Sequence, residues 1–217
     1  MEDKRVIRFP TERRLQAAAR AQAERGRAGG QAVPVEHAAS HTGESFAFLS
    51  LEVRRLPRTE SWIGGDVAGR ILNRCVLSCL EILSKERIPV DLAGTVLRPV
   101  IEATFSGSDP ELRAVKAGLA VRDSIRKVQR EVENEFHLFG AITEGTTTEL
   151  ETGVKVTTGS PQQVAGRFRE HAAPSQLLLS GEVWQAVRDQ VDVAGPVEVT
   201  VPGSDPVPSY PVSGLRE

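Results

Sequence analysis

Cysteine is nearly absent from this 217-residue chain: Cys75 and Cys79 are the whole complement. They lie one helical turn apart in the apolar run ILNRCVLSCLEIL, in step with Ile71, Leu72, Leu80 and Leu83. Two cysteines four apart on one helix do not form a disulfide, and no C-x2-C pair exists to hold zinc, so both read as small core residues. Long apolar runs are also missing. Nothing approaches the roughly 20 residues that a spanning helix needs, and no signal-peptide pattern appears, so the expectation is a soluble, cytoplasmic protein. Neither charge sign dominates, with 27 Lys+Arg against 29 Asp+Glu, which removes the field that would favour nucleic acid or anionic membrane. Internal repeats, a Walker loop and a Ser/His/Asp arrangement are lacking as well.

What is present is uneven along the chain. Residues 1–30 hold 8 basic and 4 acidic residues, a net +4, leaving the remainder at −6. The segment TERRLQAAARAQAERGRAGG has Leu15 as its one large apolar residue, so it has no face to bury. Residues 1–42 therefore read as a flexible basic arm and 43–217 as one domain. Within the arm, Val6, Ile7 and Phe9 form a small apolar cluster among basic residues, a candidate docking motif for a partner protein.

From Glu44 onward, periodicity lays out the elements. SFAFLSLEV reads as a strand, and residues 66–85 as a helix with a wide apolar stripe. IPVDLAG and TVLRPVIEATF read as two strands turning near Ala93-Gly94, with Pro99 marking an edge, bulge or break. Ser108-Asp109-Pro110 opens the next helix, whose core face is Leu112, Val115, Leu119, Ile125, Val128 and Val132. FHLFGAIT is strand-like, and Gly145 is expected to turn it toward a second run ending at VKVTT.

Residues Gly159–Val187, GSPQQVAGRFREHAAPSQLLLSGEVWQAV, then read as helix, strand, helix, with Ser180 capping the second helix. Ser160 and Gln163 form S-x-x-Q, the pattern of a capping box. Short strands close the chain. Helices alternating with hairpins predict an α+β sandwich on a mainly antiparallel sheet.

Several of these segments, in order, resemble class III nucleotidyl cyclase catalytic domains. Gly159–Val187 is similar to that family's G-D-x-V-N-L-A-A-R-L, A-x-P-G-E-I-L-V-S and Y-E-A-V segments. DPELRAVKAGLAVRDSI is similar to its A-L-R-A-V-x-A-A-L-A-M helix, FGAITEG to its I-G-I-H-T-G strand, and GPVEVTVPGSDPVPSYPV to its closing G-x-V-x-V-K-G-x-x-x-P-V-x-V-Y. The resemblance spans about Ser45 to Gly214 and implies a ferredoxin-like core extended by further strands, working as a head-to-tail dimer. It also implies attack of a ribose 3′ hydroxyl on an α-phosphate, with two metal ions held by two aspartates.

The aspartate positions are where this chain departs from the pattern. Glu52 of SLEV stands at the first and Pro99 of LRPV at the second; proline offers no ligand atom, Arg98 repels a cation, and Glu102 reaches only by another geometry. The base-recognising lysine aligns near Thr95, and the aspartate after the glycine with Ser160. The asparagine and arginine that contact nucleotide align with Gln163 and Arg167 at the family's spacing, though Arg167 also has Glu170 one turn away. The expectation is a catalytically inactive, cyclase-like domain retained for signalling or scaffolding, with no metal and no cofactor, through self-association as a homodimer or pairing with a cyclase-like chain. Two alternatives accompany it: a nucleotide sensor using Ser160, Gln163 and Arg167 without turnover, and a half-enzyme lending Arg167 to a competent partner. Gly64-Gly65-Asp66 precedes a helix, His37 and His41 lack a third ligand, and His137 and His171 are isolated, so none of these reads as a site.

Overall fold

The computed structural model describes residues 44–57, 63–132, 135–149, 155–158, 160–200 and 205–216, all within one unit, His41–Glu217. The arm over 1–42, with Val6, Ile7 and Phe9 and the His37/His41 pair, lies outside the described residues.

The elements follow the expected order: β1 (Glu44–Arg55), α1 (Gly65–Ser84), β2 (Val90–Thr95), β3 (Arg98–Phe105), α2 (Pro110–Glu131), β4 (Phe136–Glu149), β5 (Lys155–Thr158), α3 (Pro161–His171), β6 (Gln176–Leu179), α4 (Gly181–Val187), β7 (Val191–Val193), β8 (Val197–Val199) and β9 (Val207–Leu215). The strands run β2-β3-β1-β4-β6-β9-β7, with β5 on β4 and β8 on β9. The β4–β6 pair is parallel and the other described pairs are antiparallel. This is the α+β arrangement that the alternation of helices and hairpins predicts.

Strand β1 organises the sheet because it pairs with β4 along its whole length and with β3 from Ala47 to Glu52. Its residues are buried without a break from Phe46 to Val53. One set, Ala47, Leu49, Leu51 and Val53, faces the main core under α1, α2 and α4, where Leu72, Cys75, Cys79, Leu83, Val115 and Ile125 pack. Phe46 and Phe48 point to the other face, where Phe139, Ala141 and Leu178 meet Ala165 and Phe168 of α3. Period two thus gives β1 two buried sides, and α3 covers the second. The cysteines are buried free thiols, pushed up by burial to about 11 for Cys75 and about 12 for Cys79. Among the described residues no helix is long and apolar enough to cross a membrane.

Two local expectations need correction, and a third is met. The β2–β3 turn falls at Val96-Leu97, two residues after Ala93-Gly94, with Thr95 paired to Arg98. Gly94 is at φ 81°, inside the hairpin, and a Cβ there would lie 2.3 Å from the Arg98 carbonyl oxygen, so it serves close strand approach instead of the turn. Gly145 does not turn the chain either: β4 runs straight through it to Glu149, and the turn to β5 lies outside the described residues. A Cβ at Gly145 would meet the Phe46 ring at 2.3 Å, so the glycine makes room for an aromatic across the strand pair. Pro99 is the expected break: it is in register with Gly94 on β2, but the β1–β3 register ends at Glu52↔Val100, one residue short of it, so pairing on the β1 side stops at the residue that has no N–H.

Candidate functional site

Past Phe46 and Phe48, the second face of β1 continues with Ser50, Glu52 and Arg54. Register places Glu102 beside Ser50 and Val100 beside Glu52 on β3, and Ala141 and Phe139 opposite them on β4. An apolar floor thereby gives way to charge under the C-terminal half of α3. Glu52 is buried to 1% exposure, a position a carboxylate tolerates only when it is paired.

It is paired three times over. Arg54 donates from Nε to Oε1 at 3.1 Å and from Nη2 to Oε2 at 2.9 Å, a two-pronged grip, while its guanidinium lies 4.3 Å over the Phe139 ring. Arg98 donates from Nε to Oε1 at 2.7 Å. Arg169 reaches down from α3, with Nε 3.4 Å from Oε2 and Nη1 donating to Ser50 Oγ. Burial pushes the Glu52 carboxyl up, but the hydrogen bonds and charges of Arg54 and Arg98 outweigh it and hold it below the ordinary carboxylate value. Arg169 is lowered by its own burial, against the pull of Glu52 and Glu102. Glu102 is shifted upward, first by burial and then by Asp91, with Arg169 opposing.

This donor set does not fit the pair of metal ions that the resemblance implies. Both Glu52 oxygens already accept guanidinium N–H groups, and Pro99, buried at the start of β3, has no donor atom. Glu102 does share the face, yet it lies against Ser50 and Arg169. Among the described residues, no group of three or more His, Cys, Asp or Glu is placed to hold a metal ion. Three guanidinium groups occupy the neighbourhood where cations would be needed.

The residues expected to contact nucleotide are divided by the fold. Ser160 sits at the N-cap of α3 but its side chain makes no capping bond, so the capping box is not formed. Its backbone (φ −130°, ψ 61°) departs from the extended geometry that presents a cap oxygen to the helix. Ser180 does cap α4, accepting from Val183 N. Asp109 holds the N-cap position of α2 before Pro110, in a left-handed backbone and without a side-chain bond. Ser160 and Gln163 instead line a cleft of about 470 Å³ between α3 and the start of β1, with Phe46, Phe48 and Thr104. Arg167 is elsewhere: it is exposed and pairs with Glu170 at 2.9 Å. Thr95 accepts from Arg98 N inside the hairpin. His171 bonds the Arg167 carbonyl, and His137 contacts Gln129.

Sequence reasoning missed Arg54 and Arg169, and read Arg98 only as a hindrance. The signal for Arg54 was the i,i+2 spacing from Glu52, which puts both on one face. Arg169 carried a weaker one: it follows Phe168, so it flanks the inward stripe of α3.

No family model matches this chain, and no protein of curated function matches its sequence. Solved structures do match. The guanylyl cyclase Cya2 is 19% identical over 82% of this chain and 95% of its own, with a TM-score of 0.64. The adenylyl cyclase CyaB from P. aeruginosa is 15% identical over 82% and 98%, TM-score 0.62. A non-canonical dimeric guanylyl cyclase domain of the RhoGC fusion protein from the aquatic fungus Blastocladiella emersonii is 13% identical over 80% and 98%, TM-score 0.59. At these identities the finding is the fold: the chain has the architecture of adenylyl and guanylyl cyclase catalytic domains over nearly their full length.

Proposed function

We propose that this cyclase fold is catalytically inactive and serves as a signalling or scaffold module that engages a partner protein or a second copy of itself. The observation that carries the reading is the fate of Glu52. A phosphoryl centre crowded with negative charge needs mobile cations placed against it. Here the carboxylate at the first metal position is consumed by Arg54, Arg98 and Arg169, and the second position is proline. Guanidinium groups fixed on Glu52 are not the mobile, multiply charged cations that bridge a triphosphate and follow a leaving pyrophosphate.

Two measurements test this reading. Titration with Mn2+ under paramagnetic resonance should show no tight site, since a metal would have to displace three arginines from Glu52; a tight site abolished by Glu52→Ala would refute inactivity. Sedimentation across a concentration series should reveal self-association, as the dimeric neighbour suggests. A strictly monomeric chain would shift the scaffold role to a different partner.

One observation favours a second reading, binding of a nucleoside without turnover. The cleft bearing Ser160 and Gln163 combines two phenylalanines with hydroxyls and side-chain amides, which suits an uncharged, partly aromatic ligand. Its described lining contains no Lys or Arg. Calorimetry should therefore show adenosine or guanosine binding at least as well as its triphosphate, weakened by Gln163→Ala. No heat with millimolar nucleoside would end this reading.

A further inference from the structure

A second concavity, about 520 Å³, lies between the first turns of α1 and the β2–β3 hairpin. Leu72, Ala68 and Phe136 form its apolar wall, and Arg54, Arg55 and Arg98 stand around it. Its outer lip is the hairpin tip, Val96 at 69% and Leu97 at 77% exposure. A two-residue hairpin turn is ordinarily built from Gly, Asn or Asp, so an aliphatic pair there leaves apolar surface in water for no gain to the turn. Val67 on α1 and Leu56 after β1 add to the exposed apolar surface.

The charge is as specific as the apolar surface. Three arginines border the concavity, and the carboxylates beneath them are Glu52, which also serves Arg169, and Glu135, which holds Arg55 at 2.8 Å. The Arg98 side chain is more than half exposed and bonds Glu52 through Nε alone, so its two Nη groups are not spent on that carboxylate. Cationic donors beside uncovered aliphatics call for a ligand that brings carboxylates and large apolar side chains together.

We infer that this surface docks an acidic segment of a partner protein carrying interleaved large apolar residues, with a carboxylate on Arg98 and apolar side chains over Leu72, Val96 and Leu97. The inference rests on the reading of the domain as an interaction module and names the chemistry of its partner. The chain's own arm is the wrong occupant, since residues 1–30 are net +4. A phosphate ligand would use the arginines and leave Val96 and Leu97 in water.

The test uses the full chain and a fluorescent synthetic peptide of Asp and Glu interleaved with Leu and Phe, followed by polarisation. The inference predicts saturable binding that weakens with added salt, is absent for a peptide with Lys in place of the acids, and drops about tenfold or more in Leu97→Asp. Leu97 is an exposed turn residue, so that variant keeps the fold; Arg98→Ala should weaken binding too. No saturable binding at millimolar peptide, or binding indifferent to Leu97→Asp, overturns the inference. Displacement of the peptide by tripolyphosphate whose own binding ignores Leu97→Asp would make this a phosphate site and also overturn it. Self-association abolished by Leu97→Asp, without peptide binding, would assign the surface to a second copy. That last outcome would leave the interaction-module reading standing while this inference fails, whereas nucleotide turnover would strike the reading alone.

Discussion

Arg98 Nε donates to Glu52 Oε1 at 2.7 Å, joining the residue before Pro99 on β3 to the buried carboxylate of β1. The first of the two positions that the resemblance assigns to metal is thus tied by an ion pair to the residue beside the second. Arg54 and Arg169 complete the closure from β1 itself and from α3.

Glu52→Gln should destabilise the fold substantially. Removing one partner from a buried ion cluster strands the others and costs about 3–5 kcal/mol, here leaving Arg54, Arg98 and Arg169 facing a neutral amide. For a domain of this size that corresponds to a fall in melting temperature of roughly 10 °C, read by calorimetry. A shift of a degree or less would mean that the cluster is held by hydration and not by Glu52.

Acid should expose the same interaction. The Glu52 carboxyl is held below its ordinary value of 4.5 in the fold, so the folded state stays ionised after the unfolded chain has taken up a proton. The stabilisation is present above the ordinary value and is lost as pH falls through the lower, folded value. Melting temperature should therefore drop in the parent as pH falls below the ordinary value of 4.5 and change less over the same range in Glu52→Gln. Parallel curves would show that other carboxylates control the transition.

Glu102 should respond in the opposite sense. Its carboxyl is pushed above the ordinary value, first by burial and then by Asp91, so the ionised form is disfavoured in the fold. Its contribution to stability is greatest below the ordinary value and is lost as pH rises through the raised, folded one. Glu102→Gln should leave stability at neutral pH unchanged or raise it by up to about 1 kcal/mol, measured by urea denaturation. A clear loss would show that the pairing with Arg169 outweighs burial.

Gly145→Ala should cost about 1–3 kcal/mol, the usual range for overpacking, because the new Cβ would lie 2.3 Å from the Phe46 ring. Phe46→Leu in the same chain should recover part of that loss. An Ala variant as stable as the parent would place the ring elsewhere.

These residues also show what the sequence could disclose. The order of elements along the chain was legible because periodicity is local: the helical stripes of α1 and α2 need no knowledge of neighbours, whereas the burial of β1 on both faces depends on α3. Gly145 was misread because glycine in an apolar strand signals a turn as readily as a close approach, and Phe46, which decides it, lies 99 positions earlier. Ser160 and Gln163 had the spacing of a capping box, but the backbone at Ser160 does not present its oxygen. Arg167 had the family's spacing, whereas Arg169, two residues on, is the one that faces Glu52. That assignment depends on how α3 is rotated over the sheet, a tertiary fact of which the place of Arg169 beside Phe168 is only a weak local sign.

If the arginines around Glu52 take the place of catalytic metal, as proposed, the chain makes no cyclic nucleotide. The most direct test is mass-spectrometric assay of cyclic nucleotide formed by the purified full chain from ATP and from GTP, with Mg2+ or Mn2+ present. The account predicts no product above the protein-free control for either nucleotide or metal. Product that accumulates with enzyme concentration and disappears in Glu52→Ala would contradict it.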